Sequence, residues 1–211
     1  MNHYCKETEV KINDVIVKKL GAEQIYANLA GLCALDKVNL VNFAEYFRLC
    51  GLRSRLVAEK LINEQGKCGG EFRFQQVSNF VRIPTQENMN REVTIKDLIL
   101  IAVECEKIVQ HEIEGLLHLA EDKNEQMIKE HCRGLLMPSQ EHIISEHMKK
   151  VQILETIKRE IEQNGNTREV DTRLAAEWKF ERIALGEMLE VVESMIFKLI
   201  KSNDGLPCQR L

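Results

Sequence analysis

Between residues 95 and 120 the apolar positions recur at spacings of three and four, which is the pattern of one face of a long α-helix. The apolar members of this face are Ile95, Ile99, Ala102, Val109, Ile113, Leu116 and Ala120. Glu106 falls on the same face and is its one charged residue. A carboxylate in a helical core is costly unless a cation, a metal ion or a proton donor faces it. The pattern therefore predicts a buried partner for Glu106.

An earlier helical face also carries charge in its middle. Its members are Ile12, Ile16, Lys19, Glu23, Tyr26, Ala30 and Cys33. Helical bundles that bind two metal ions combine several glutamates with Glu-x-x-His pairs, and that motif does not occur in the sequence. One ammonium and one carboxylate instead form an ion pair. The residues alone predict that Lys19 is the buried partner of Glu106.

Apolar periodicity, interrupted at glycine and proline, predicts five helical segments. They cover about residues 7–34, 41–65, 93–120, 125–163 and 173–201, with a kink in the fourth at Pro138. Residues 71–90 lack a pattern and contain Pro84, which is typical of the long crossover connection in some four-helix bundles. The predicted fold class is all-α.

Composition narrows the functional classes. The 211 residues are 44% hydrophobic, 5% aromatic and 29% charged, which is typical of one helical domain with a sizeable core. The net charge of -4 and mixed signs along the chain give no electrostatic basis for binding nucleic acid or a membrane surface. No apolar leader or membrane-length apolar run is present in the sequence, so a cytoplasmic location is expected.

The cysteines suggest reduced thiols. They are Cys5, Cys33, Cys50, Cys68, Cys105, Cys132 and Cys208. The set is odd in number and contains neither a Cys-x-x-Cys pair nor zinc-ligand spacing. We therefore expect free thiols, those on apolar helical faces acting as small hydrophobic residues. Cys5 and Cys208 lie near the ends of the sequence, where a cross-link between chains is the alternative.

Several short stretches together resemble animal ferritin. They are residues 4–13, Tyr-Ala at 26–27, Asn-Phe-Ala-Glu-Tyr-Phe at 42–47, Ala-Glu-Lys-Leu at 58–61, Gly-Gly at 69–70, Glu-Lys at 106–107, Asp-Lys-Asn at 122–124 and Ala-Glu-Trp-Lys-Phe-Glu-Arg at 176–182. The resemblance implies a four-helix bundle with a long crossover and a fifth helix over residues 1–187. It also implies assembly into a hollow 24-subunit iron-storage shell. Residues 188–211 form an expected C-terminal extension, helical to about residue 201.

Ferritins oxidise ferrous iron at a centre inside each catalytic bundle, and the resemblance places several of its ligands on other residue types here. The first-helix glutamate falls on Lys19. The bridging glutamate of the second helix falls on Ser54, and the histidine ligand falls on Val57. None of these three side chains can hold Fe(II) as the family ligands do.

The remaining positions of the family centre fall on Glu106, Gln140 and the nearby Tyr26. One carboxylate, one amide and one phenol are too few ligands for a tight di-iron site. Lys19 with Glu106 resembles the lysine–glutamate pair that replaces the metals in ferritin light chains. The resemblance therefore implies no catalytic residues and no metal held tightly by each subunit, with iron present only as stored mineral. Co-assembly with a catalytic ferritin chain is the implied partnership.

Two further differences from the ferritin family concern the entry of iron and its collection on the inner surface. At the three-fold pore, family subunits contribute two acids from the start of the fourth helix. Here Glu130 falls on one of these positions, and Arg133 falls on the other and reverses its charge. On the second helix, the family places acids that face the cavity. This chain has Arg48, Arg53, Ser54 and Arg55 there, which leaves Glu59 as the main acid. A Glu130–Arg133 pair would neutralise the pore, and unpaired arginines would repel Fe(II).

His147 lies on the predicted core stripe of the fourth helix, as does Gln140. No second histidine or cysteine stands at ligand spacing on that stripe. We expect a hydrogen-bonded core histidine and a core amide satisfied by a neighbour.

The C-terminal extension suggests a second function. Its apolar stripe contains Met188, Leu189, Val192, Met195, Ile196, Leu199 and Ile200. If this helix points into the shell, its 24 copies displace mineral. Artemin, a chaperone-like ferritin relative that stores no iron, is similar in lacking a full oxidation site and in having an extension and extra cysteines. The sequence thus leaves open an iron-storage subunit, an artemin-like shell without an iron role and, least favoured, an active ferroxidase.

Overall fold

The computed structural model describes residues 4–36, 38–73, 75–85, 94–164, 169–183 and 185–201. The described chain is all-helical and contains no strand, which confirms the predicted all-α class. Its helices are α1 (Lys6–Cys33), α2 (Val41–Lys67), α3 (Ile95–Asp122), α4 (Gln126–His131), α5 (Met137–Asn164), α6 (Glu169–Ile183) and α7 (Leu185–Lys201). None of the described helices is both long enough and apolar enough to cross a membrane.

The first three helices agree with the sequence prediction to within two residues at each end. The start of α3 is fixed by a capping box, in which Thr94 Oγ1 accepts from Asp97 N at 3.2 Å and Thr94 N donates to Asp97 Oδ2 at 2.7 Å. This reciprocal pair of hydrogen bonds makes Thr94 the N-cap, so α3 begins at Ile95.

The predicted fourth helix is interrupted upstream of its proline. Residues Cys132–Leu136 form a π-helical turn between α4 and α5, and Met137 N donates to Cys132 O, five residues back. Pro138 has no N–H and its ring conflicts with the carbonyl four residues earlier in a regular helix. The wider turn in front of Pro138 accommodates both effects, so the irregularity lies at 132–136 instead of at the proline itself.

The predicted fifth helix consists of two helices, because its halves pack on different neighbours. α6 packs against α5, and α7 packs against α2. Among the α7 side chains that the structure describes, Val192, Met195 and Ile196 are buried. The predicted tail at 202–211 and the side chain of Met188 lie outside the described residues.

α6 is anchored across the starts of two other helices by its glutamates. The Glu181 carboxylate accepts from the backbone N–H groups of Asn42 at 2.6 Å and Phe43 at 3.1 Å. Glu177 accepts from Ile95 N at 3.1 Å. Free N–H groups at a helix start favour a carboxylate, so α6 supplies the cap that the start of α2 lacks locally.

The core lies along α1 and α3, which pack together, with α2 beside α1 and α5 beside α3. Every predicted apolar position of the α3 face is buried. On the α1 face Lys19 and Tyr26 are buried, and Glu23 is partly exposed. The periodic pattern therefore located the core correctly.

The crossover after α2 is non-helical in its described part, 71–73 and 75–85. Asn13 of α1 holds it on both sides, since its Nδ2 donates to Glu71 O at 3.2 Å and its Oδ1 accepts from Arg73 N at 3.2 Å. The predicted remainder of the crossover, 86–90, lies outside the described residues.

The cysteine prediction holds for five side chains and is wrong for one. The free thiols are Cys5, Cys33, Cys50, Cys105 and Cys132, and all but Cys5 are buried. Cys68 is disulfide-bonded. Spacing along the chain gave no sign of this bond, since a disulfide depends on distance in the folded chain. Cys208 lies outside the described residues.

Candidate functional site

Glu106 lies at the centre of the helical core with no exposed surface. Tyr26 Oη donates to its Oε1 at 2.7 Å. Gln140 Nε2 donates to its Oε2 and, at 2.7 Å, to its backbone oxygen. The predicted core amide is therefore confirmed, and it holds the carboxylate on one side while the phenol holds it on the other.

Two cations flank this carboxylate. Lys19 Nζ is 3.8 Å from Glu106 Oε2, and Arg53 Nη1 is 3.4 Å from Glu106 Oε1. Lys19 donates its short hydrogen bond, at 2.6 Å, to Gln140 Oε1. The predicted pairing of Lys19 with Glu106 is thus present at ion-pair distance. The side-chain amide of Gln140 bridges the two residues, since it accepts from Lys19 and donates to Glu106.

Arg53 corrects the sequence interpretation. It was expected on an exposed, cavity-facing surface, but its side chain is fully buried. Its Nη2 donates to Ser139 O at 2.8 Å and to Ser139 Oγ at 3.0 Å, which fixes the guanidinium against α5. The spacing carried a signal for this placement, because Arg53 follows the buried Cys50 by three residues and so lies on the same helical face.

The charges of the cluster set its ionisation. Burial alone would raise the pKa of Glu106, but Lys19 and then Arg53 outweigh burial and hold it at about 2. Burial lowers the pKa of Lys19 to about 8, which the attraction of Glu106 opposes and Arg53 reinforces. One carboxylate therefore stands between two cations at neutral pH, and the centre of the core carries net positive charge.

A chain of hydrogen bonds continues from Glu106 to α5. Tyr26 Oη lies 2.8 Å from His147 Nε2, and Tyr46 Oη lies 2.6 Å from His147 Nδ1. Because Tyr26 already donates to the carboxylate, we assign the proton of the imidazole to Nε2, and Nδ1 accepts from Tyr46. Burial lowers the pKa of His147 to about 3, so the ring is neutral. The prediction of a hydrogen-bonded core histidine is confirmed.

The two α2 positions that the resemblance matches to metal ligands carry poor ligands. Ser54 is fully buried and its Oγ has no hydrogen-bond partner among the described residues. Val57 is buried and offers only methyl groups. Within the part of the chain that the structure describes, no group of three or more His, Cys, Asp or Glu side chains could hold a metal ion.

No model of a known protein family matches the chain. The chemistry of the core around Glu106 is therefore the main guide to function. That core can hold a buried carboxylate rigidly, and its net charge opposes the arrival of another cation.

The two predicted pore residues do not pair with each other. Glu130 accepts from Gln126 Nε2 at 2.8 Å, and Arg133 forms its ion pair with Glu121, at the end of α3. Both Glu130 and Arg133 are exposed. The charge of Arg133 is thus partly compensated, but by a residue that the sequence interpretation did not name.

Proposed function

We propose that the chain is a non-catalytic ferritin-like subunit of a 24-subunit iron-storage shell. In this proposal α1, α2, α3 and the α4–α5 segment form the four-helix bundle, and α6 and α7 replace the single fifth helix. The observation that carries the proposal is the convergence of Lys19 and Arg53 on Glu106. The resemblance puts metal ligands at the positions of Lys19 and Glu106.

Electrostatics supports the non-catalytic part. A di-iron centre needs several carboxylates and an imidazole to balance two divalent ions. This core offers the carboxylate of Glu106 against two cations. A divalent ion about 4 Å from one uncompensated unit charge is repelled by on the order of 8 kcal/mol at an effective dielectric constant of about 20. Neither Ser54 nor Val57 offsets this repulsion.

In the proposed shell, iron is stored mineral and not a ligand of each subunit. A catalytic ferritin chain would supply oxidation in mixed shells, while this chain contributes a rigid, ion-paired wall. The proposal includes a cytoplasmic location and no nucleic-acid or membrane partner, in line with the charge pattern of the sequence.

One observation favours the alternative, an artemin-like shell without an iron role. α7 packs against α2, the helix that the resemblance turns toward the cavity, and Val192, Met195 and Ile196 of α7 are buried. If α7 keeps this position in a shell, its copies occupy space that mineral would fill. This alternative predicts an assembled but iron-free particle.

Mass and mixed loading test the proposal together. A shell of 24 copies of a 24.4 kDa chain has a mass of about 590 kDa, which light scattering coupled to size exclusion measures directly. The purified protein is then refolded with and without a catalytic ferritin chain, and iron is counted per particle. The proposal expects shells in both cases and loading only in mixed ones. A monomer or dimer contradicts the shell, and mixed shells that stay empty favour the alternative.

A further inference from the structure

A groove lies between the last turns of α7 on one side and the π-helical turn with the first turns of α5 on the other. Its volume is about 300 Å³, at the lower end of the roughly 300–1,000 Å³ typical of small-molecule sites. The backbone contacts that hold α7 come chiefly from α2 and α6. α7 therefore runs beside the turn without closing the space between them, and we call this space the α7 groove.

The π-helical turn gives the α7 groove its room on one side. Gly134 lines the groove, and nothing lies within 4 Å of where its Cβ would stand. A π-helical turn is wider than a regular helix, and such turns are frequent at functional sites. The irregular part of the helix thus coincides with open space.

The walls of the α7 groove are mainly apolar. Leu135 and Pro138 form the wall on the side of the turn, and Met195 and Leu199 form the wall on the side of α7. Leu135 and Leu199 are only partly buried. An alkyl chain lying between these walls would remove further apolar surface from water, which is favourable. The shape and the walls therefore suit the tail of a small amphiphile.

The charged side chain that lines the α7 groove is a cation. Lys198 is exposed there, and no acidic side chain of the described chain pairs with it. His142 adds an imidazole whose Nε2 is 3.9 Å from Glu146 Oε1, beyond hydrogen-bond distance, while Lys149 Nζ lies 2.6 Å from that oxygen. Among the described residues that line the groove, none is acidic. An anionic head group is thus favoured over a cationic one.

The buried cations of the core add to this preference. Ser139 lines the α7 groove, and its backbone oxygen and hydroxyl accept from Arg53 Nη2 at 2.8 Å and 3.0 Å. The guanidinium of Arg53 therefore lies directly behind the wall of the groove. Since Lys19 and Arg53 outnumber the carboxylate of Glu106, the core presents net positive charge to an anion in the groove.

We propose that the α7 groove binds a monocarboxylate with an unbranched alkyl chain of medium length. The carboxylate pairs with the Lys198 ammonium, with the His142 imidazole as a second donor, and the chain lies between Leu135 and Leu199. Lys198 and Leu199 belong to the C-terminal extension, beyond the residues that resemble ferritin. The site does not rest on the proposed iron-storage function.

Titration calorimetry of the purified protein with sodium decanoate, below the concentration at which decanoate aggregates, tests the site. We expect saturable binding of one decanoate per chain. Decanol has the same chain without the charge and should bind at least tenfold more weakly. Acetate has the charge without the chain and should give no measurable binding. Wild-type protein that does not bind decanoate saturably, or that binds decanol as tightly, overturns the proposal.

Two variants separate the head group from the chain. Lys198→Gln should weaken decanoate binding at least tenfold and leave decanol binding unchanged, because it removes charge alone. Leu135→Ala should weaken the binding of both ligands by the same factor, since it removes apolar wall alone.

Lys201→Gln is the matched control for the charge. Lys201 is on the same helix and stands 4.2 Å over the ring of Phe197, but it does not line the α7 groove. This variant should bind decanoate as the wild type does. Circular dichroism establishes that each variant is folded. Decanoate binding that a folded Lys198→Gln retains, or that Lys201→Gln loses equally, contradicts the site.

Discussion

Arg53 holds Glu106 by contacts that differ from those of Lys19, although Lys19 lowers the pKa of Glu106 more. Arg53 is nearer to Glu106, and it also binds the backbone oxygen and hydroxyl of Ser139. Lys19 is bound chiefly to Gln140, and burial lowers its pKa toward neutrality. Removing one partner of a buried pair leaves an uncompensated charge, whereas removing an extra cation relieves repulsion. The two cations are therefore not equivalent.

We predict that Arg53→Met lowers the free energy of unfolding by about 3–5 kcal/mol, and that Lys19→Met lowers it by less than about 2 kcal/mol. The double variant, which leaves Glu106 without a cation, should lose more than the sum of the two. Urea denaturation of all four proteins measures this cycle. Equal losses for the two single variants would show that Lys19 and Arg53 are equivalent partners of Glu106.

His147 gives the fold an acid sensitivity with a definite sign. Its pKa is about 3 in the folded protein against 6.5 for the ordinary group, so the unfolded chain binds more protons between these values. Stability is then complete above about pH 6.5 and falls as the pH drops toward 3, by about 1.4 kcal/mol per pH unit for this one group. His131, with a pKa of about 4, adds in the same direction.

His147→Gln should reduce the slope of unfolding free energy between pH 6 and pH 5 by about 1.4 kcal/mol per pH unit. The remaining slope comes from His131 and from other groups. His118→Gln, which changes an exposed histidine, should leave the slope unchanged. An unchanged slope in His147→Gln would mean that the buried ring already takes up its proton in the folded protein.

At the scale of elements, the π-helical turn at Cys132–Leu136 and Pro138 act as one unit. Gly134 lies at the outer side of this turn, with nothing within 4 Å of where a Cβ would stand. Deleting Gly134 would convert the turn into regular α-helix while keeping the register of Gln140 and His147. Pro138 would then meet the carbonyl four residues before it, a conflict that costs about 3 kcal/mol.

We predict that the effect of Pro138→Ala on the free energy of unfolding differs between the wild type and the Gly134 deletion. In the wild type it should change the free energy of unfolding by less than about 1 kcal/mol, and in the Gly134 deletion it should stabilise the protein by about 3 kcal/mol. Thermal or urea unfolding of the four proteins measures the difference. The same effect in both backgrounds would show that the turn has another cause.

The spacing of apolar residues along the sequence predicted most of the helices but few of the buried polar contacts between them. Helical periodicity located α1, α2, α3 and the buried Glu106, because spacing along one helix decides which side chains share a face. It missed Arg53 because a charged side chain is buried only when distant partners, here Glu106 and Ser139, meet it. The division into α6 and α7 likewise follows from packing on two different helices.

At the scale of the whole molecule, the proposed loss of catalysis should be reversible by restoring ligands. We predict that Lys19→Glu, Ser54→Glu and Val57→His, combined with Arg53→Ala to remove the second cation, gain Fe(II) oxidation that the wild type lacks. These side chains, with Glu106, supply the carboxylates and imidazole of a two-metal centre. The matched control carries the other three substitutions but keeps Val57. It should oxidise Fe(II) more slowly than the four-site variant. A folded four-site variant without any gain would argue against the ferritin-like alignment of α1 and α2.

The central claim is that cations occupy the place of a di-iron centre in this core. Aerobic Fe(II) addition to the purified protein, followed by Fe(III) absorbance over time, tests it most directly. The account predicts oxidation no faster than in protein-free buffer, and the same trace for Glu106→Gln. Oxidation faster than the buffer control that disappears in Glu106→Gln would contradict the account and make this chain a ferroxidase.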